Sequence, residues 1–193
     1  MVAVITSIVL GVCLSAACGF RVFAPLLVLS GAGVTGFYTP AVELSWISSW
    51  TAVALFGSAT LVEVIAYYVP WADNLLDSIA SPAAVIAGII ASASVLGELP
   101  PPLQWTLATV AGGGAAGLAQ MSTVVLRGAS SVATGGLANF MVSTGENVFA
   151  IATSVLALFA PLAAFALLML AAAFMWKRTV MFRRSGAPAV PSS

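Results

Sequence analysis

Histidine is absent from this 193-residue chain, cysteine occurs twice, and only 6% of the residues are charged. The missing imidazole excludes Ser-His and Cys-His nucleophile systems and any histidine proton relay. Two cysteines without histidine make a poor metal-ligating set, so no metal and no cofactor is expected. Asp and Glu can still do acid–base work, but no pattern here points to an enzyme. The shortage of charge constrains the fold most. A soluble domain carries about a quarter charged residues. With 61% hydrophobic residues and a mean hydropathy of +1.12, this chain cannot cover itself with polar surface. Lipid is its natural solvent.

What charge there is comes out even, six cations and six anions, so nothing suggests a nucleic-acid partner. Residues 1–20, 22–42, 44–62, 78–97, 99–126 and 147–176 contain no Asp, Glu, Lys or Arg. A helix needs roughly 20 apolar residues to cross a bilayer. A β-barrel would instead show alternating segments of about 10 residues. The expected class is all-α, a polytopic helical membrane protein of five to six spans with kinked or broken helices. Residues 1–176 read as one transmembrane domain and 177–193 as a basic, disordered tail. Lys177, Arg178, Arg183 and Arg184 follow the last apolar run. By the positive-inside rule they put the C-terminus in the cytoplasm. The expected location is the bacterial inner (plasma) membrane. The first run has no positive n-region and reads as a retained helix. Cys13 and Cys18 within it read as packing thiols.

Along the chain, a first helix spans about Val2 to Ser30, with Pro25 inside it. The stretch Gly31 to Trp46 reads as an interfacial linker with Tyr38, Trp46 and Trp50 as belt residues. A second helix spans Trp50 to Val69. Pro70 to Pro82 is too short to cross, fits a surface helix or half-helix, and carries Asp73 and Asp77 one helical turn apart. Ser81-Pro82 resembles the start of a third helix, which runs to about Gly97. The fourth covers Leu103 to Leu126, with Gly113 and Gly117 as a small-residue face. Arg127 to Asn147 is polar and glycine-rich, with only two charges, Arg127 and Glu146. It is expected to include non-helical backbone buried among helices. The last helix spans Glu146 to Trp176, with Pro161 inside it. The tetrapeptide FAPL occurs at Phe23–Leu26 and again at Phe159–Leu162. Each half also carries an Arg followed by a Glu, Arg21 and Glu63 and then Arg127 and Glu146, a pattern open to an inverted repeat or to chance.

A charge inside a membrane segment costs at least about 2.5–3.5 kcal/mol on insertion scales. Arg21 is the strongest candidate site residue, deep in the first helix. It reads as a snorkelling cation or as the partner of a carboxylate or anion. Pro25 lacks an N–H and cannot bond the Arg21 carbonyl, so the helix is expected to break over 21–25. Glu63 reads as a structural ion-pair partner of Arg21 or Arg127, or as a proton- or cation-carrying carboxylate. Arg127 reads as snorkelling or internal. Glu146 fits the last position of a Ser143-x-x-Glu146 capping box. Asp73 and Asp77 read as solvated helix-end acids or a weak cation site. Glu43 and Glu98 read as solvated turn residues.

The segments LSAACGFRVFAPLL, VEVIAYYVPWADNLLDSI and GLANFMVSTGEN carry a resemblance. They resemble a family of small bacterial integral membrane proteins known as domain of unknown function 4126, over roughly residues 5–170. The resemblance implies a membrane location and no particular activity. In the last segment the family tends to have Glu-Asp where this chain has Glu146-Asn147, so one carboxylate is missing here.

Two functions remain open from the residues. One is a small transporter or flippase-like protein for a small anionic or lipid-linked substrate. Its site would be Arg21, Glu63, Arg127 and Glu146 near broken helix ends, in a chain small enough to favour a homodimer. The other is a non-transporting accessory subunit of a larger membrane complex. Its charges would be internal staples, and the Gly113 and Gly117 face would dock the partner. Membrane lipids are expected neighbours in both.

Overall fold

A computed structural model describes residues 2–67, 70–134 and 139–185; for 70–78, 133, 175–176 and 178–185 it describes the backbone alone. Every regular element among the described residues is helical: α1 (Val2–Phe20), α2 (Ala24–Val34), α3 (Trp50–Tyr67), α4 (Pro70–Val95), α5 (Pro101–Leu107), α6 (Gly114–Thr134), α7 (Asn139–Phe159) and α8 (Pro161–Ser185). A short 3-10 helix, Val42–Ile47, lies in the α2–α3 connection, and a π-helical segment, Ala108–Gly113, joins α5 to α6. Four stretches are long and apolar enough to cross a membrane: Val2–Phe20, Trp50–Tyr67, Pro101–Val132 and Asn139–Phe159. Shorter apolar helices cover Ala24–Val34, Ile79–Val95 and Pro161–Phe174.

α1 is the central element and packs against α4, α6, α7 and α8. Small residues set its spacing. Ser15 Oγ donates to the Gly88 carbonyl of α4 at 2.6 Å, and Gly11 faces Ser92, so α1 and α4 run antiparallel. On α6 the order is reversed. Gly112 of the preceding π-helical segment faces Ser15 and Ala116 of α6 faces Gly19, so this segment and α6 run parallel to α1. A Cβ at Gly19 would overlap the Ala116 carbonyl, so only glycine permits this approach. The Gly113 and Gly117 face meets Ile89 and Val85 of α4 in the same chain. It is therefore spent on internal packing rather than left open for a partner.

α2 lies antiparallel to α3. Phe23 meets Glu63, Leu27 meets Gly57, and Gly33 meets Ser48. At the far end of α4 the last turn is held from outside. Ala41 N–H donates to the Ser94 carbonyl and Gln104 Nε2 to the Ala93 carbonyl, each at 2.8 Å. Those carbonyls have no partner within the helix itself.

Two sequence expectations are corrected, at Pro70–Pro82 and in the final apolar region. Residues 70–82 are not a separate surface helix, and Ser81-Pro82 is not a start. α4 is continuous from Pro70 to Val95 with Pro82 inside. The proline removes one ladder bond, and packing along α1 carries the helix through. Of the polar stretch after Arg127, the residues up to Thr134 and from Asn139 are helical, and the non-helical backbone expected within it could fall only at 135–138, which lie outside the described residues. The final apolar region is two helices, because the chain leaves helix at Ala160 before Pro161. Between α1 and α2 the chain is non-helical over Arg21, Val22 and Phe23.

Candidate functional site

The break after α1 exposes backbone groups that something must satisfy. α2 begins with Pro25 in its first turn, and Phe23 before it has no side-chain cap. The cap comes from another helix. Val22 N–H donates to Glu63 Oε1 at 2.9 Å and Phe23 N–H to Glu63 Oε2 at 3.1 Å. A carboxylate at a helix N-terminus accepts orphan amide protons and meets the positive end of the helix dipole. Glu63 is only 5% exposed. Among the described residues no ion pair reaches it; its hydrogen-bond donors are neutral amides.

The break also turns Arg21 inward. It is 1% exposed and the largest fully buried side chain among the described residues. Its Nη2 donates to the Ser143 carbonyl of α7 at 2.8 Å and lies 3.3 Å from Glu146 Oε2. The same Glu146 oxygen accepts from Nη2 of Arg127 on α6. One carboxylate on α7 thus joins two cations, one from the broken end of α1 and one from α6. Glu146 is 6% exposed.

Tyr67 completes the cluster. It stands four residues beyond Glu63 on α3, so both project from one face. The Arg21 guanidinium lies 4.0 Å from its ring centroid and the Arg127 guanidinium 4.1 Å. Cation–π contacts of this kind reach about 2 kcal/mol when desolvated. The ring lets two like charges share a dry site.

Arg21 is incompletely satisfied. Its Nε and Nη1 are buried and have no hydrogen-bond partner among the described residues, nor does the buried Ser143 hydroxyl nearby. Guanidinium donors left unmet in a dry interior are costly. An apolar groove of about 360 Å³ opens beside the break, between α2, α3 and α4. Val22, Phe23, Val62, Ala80 and Ala83 line it, and Glu63 is its charged group.

Four of the six candidate residues therefore converge: Arg21, Glu63, Arg127 and Glu146. Asp73 and Asp77 fall in the first turns of α4, with side chains outside the described residues. The capping box is corrected. α7 starts at Asn139, so Ser143 and Glu146 sit inside the helix. Glu146 faces the arginines, and Ser143 contributes its carbonyl to Arg21. Tyr67 and the Val22 and Phe23 amides were not anticipated. The four-residue spacing from Glu63 to Tyr67 was the signal available for the first.

No curated protein and no solved structure matches the chain. A family model does match it over residues 8–179, and the chain belongs to that family, described as a domain of unknown function (DUF4126).

Proposed function

We propose that this protein is a small membrane transporter, flippase-like in character, for a small anionic or lipid-linked substrate. Arg21, Glu63, Arg127 and Glu146 form its binding site. One observation carries the reading: Arg21 is buried at a helix break with Nε and Nη1 unmet among the described residues. A cation held only for stability gains by filling its donors. One that alternates between internal and substrate partners keeps some open. Guanidinium suits phosphate and carboxylate, which accept two parallel hydrogen bonds. Discontinuous helices that expose backbone groups to a ligand are a recurrent transporter device.

The finer topology belongs to the same proposal. It has five to six spans, a bacterial inner-membrane location and a cytoplasmic C-terminus marked by Lys177, Arg178, Arg183 and Arg184. Each half of the chain gives one Arg and one Glu to a single cluster, which supports an inverted repeat. A homodimer would give so small a bundle a fuller pathway.

A second reading has its own support. The cluster is nearly sealed, and Glu146 bridges two of its arginines, as in an accessory subunit held by internal ion pairs. Deletion followed by untargeted metabolite and lipid profiling, repeated with Arg21→Gln, separates the two. A transporter predicts that the substitution reproduces the deletion profile in a protein present at normal level. A wild-type profile from Arg21→Gln, with co-purification into one larger complex, would favour the accessory role.

A further inference from the structure

We infer that the π-helical segment Ala108–Gly113 is a register switch. It stores one extra residue, and passing that residue along α6 turns Arg127 away from Glu146 and Tyr67. The switch goes beyond the reading above and stands whatever the cluster carries.

The buried positions show what the segment does. Up to Ala116 they fall on every fourth residue: Gln104, Ala108, Gly112 and Ala116. Beyond Ala116 they follow the ordinary α-helical period through Gln120, Thr123 and Arg127. An α-helix turns about 100° per residue, which would set Ala116 about 120° round from Gln104. A π turn takes up one more residue than an α turn. That removes about 100° and brings the two halves into phase within about 20°. Both halves are engaged. Gln104 Nε2 donates to the Ala93 carbonyl of α4 at 2.8 Å. Ala116 packs on Gly19 of α1, and Arg127 donates to Glu146.

The extra residue has a second place to go. Moved past Arg127 into the last turns of α6, it leaves Gln104 and α7 where they are. Only the helix between rotates, by about 100°. Each residue there takes the site of the one after it. At the buried sites the newcomer is no larger than the residue it replaces. Ala115 replaces Ala116, Ala119 replaces Gln120, Ser122 replaces Thr123 with its hydroxyl kept, and Leu126 replaces Arg127. Ala116 enters the site of Gly117, where a Cβ meets Val85 at an ordinary 3.6 Å. One entry is tight: Leu118 comes into the site of Ala119, beside Gly19. That contact makes the second register the minor one.

Arg127 has somewhere to go as well. It takes the site of Gly128, which is exposed and where a Cβ meets nothing within 4 Å. About 39 Å of helix separates Pro101 from Arg127 at 1.5 Å per residue, more than the roughly 30 Å of bilayer hydrocarbon. The guanidinium therefore reaches the membrane surface by snorkelling. Glu146 keeps Arg21 at 3.3 Å, so its carboxylate is not stranded.

The test measures the distance between spin labels at Leu61→Cys on α3 and Val125→Cys on α6, in the full chain in detergent micelles. Both positions are exposed, whereas Cys13 and Cys18 are wholly buried and stay unlabelled. Two distances are expected, the present register dominating. Leu118→Ala removes a side chain that is 70% exposed in the present register and crowded only in the second. It should raise the minor distance at least about fivefold, since relieving overpacking of this kind is worth at least that factor. Deletion of Val110, exposed on the π segment, takes out the stored residue and keeps the two halves in phase. That chain should melt with the wild type and give one distance. A single distance in both the wild type and Leu118→Ala would overturn the switch. So would two distances surviving the Val110 deletion. A deletion that fails to fold would also overturn it, because the extra residue would then be required by packing alone.

Discussion

Glu63 and Glu146 are two buried carboxylates in one cluster, and they are held in opposite ways. Glu146 sits between two guanidiniums, with Arg21 at 3.3 Å and Arg127 hydrogen-bonded to the same oxygen. Glu63 sits on two neutral amides at the start of α2, beside a groove open to the outside. The first arrangement binds charge to charge and is costly to undo. The second is a helix cap made through neutral donors, which costs less to undo.

Four substitutions put numbers on that contrast. The largest loss is expected from Glu146→Gln. Removing one partner of a buried ion pair typically costs about 3–5 kcal/mol, and here two guanidiniums lose their carboxylate. A thermal melt of the detergent-purified protein measures it, and a loss below about 1 kcal/mol would erase the distinction. Tyr67→Leu should come next, at about 2 kcal/mol, because it removes the ring contacting both cations. Tyr67→Phe keeps the ring but loses the hydroxyl's hydrogen bond to Arg127, and should cost less than Tyr67→Leu in the same assay. Glu63→Gln should cost least, about 1 kcal/mol, because the amide oxygen still accepts one N–H while the charge at the helix end is lost. If it destabilises as much as Glu146→Gln, Glu63 is a staple like its neighbour.

The same contrast shows what was legible in the sequence. Long charge-free runs made the helical membrane class plain, and single charges inside those runs marked Arg21 and Glu63. The missing amide hydrogen of Pro25 pointed to the region where the chain leaves helix, over Arg21–Phe23. Local rules failed where tertiary demands were stronger. Ser143-x-x-Glu146 has the spacing of a capping box, yet the helix begins at Asn139 and two arginines claim the glutamate. Ser81-Pro82 has the form of a helix start, yet α4 continues through it along α1. The cap that Glu63 supplies to α2 links residues about forty positions apart. No local pattern encodes such a contact.

Metabolite and lipid profiling of a strain carrying Arg21→Gln, with the protein present at its normal level, tests the central claim most directly. The substitution should reproduce the profile of the deletion. A wild-type profile would contradict a substrate-binding Arg21.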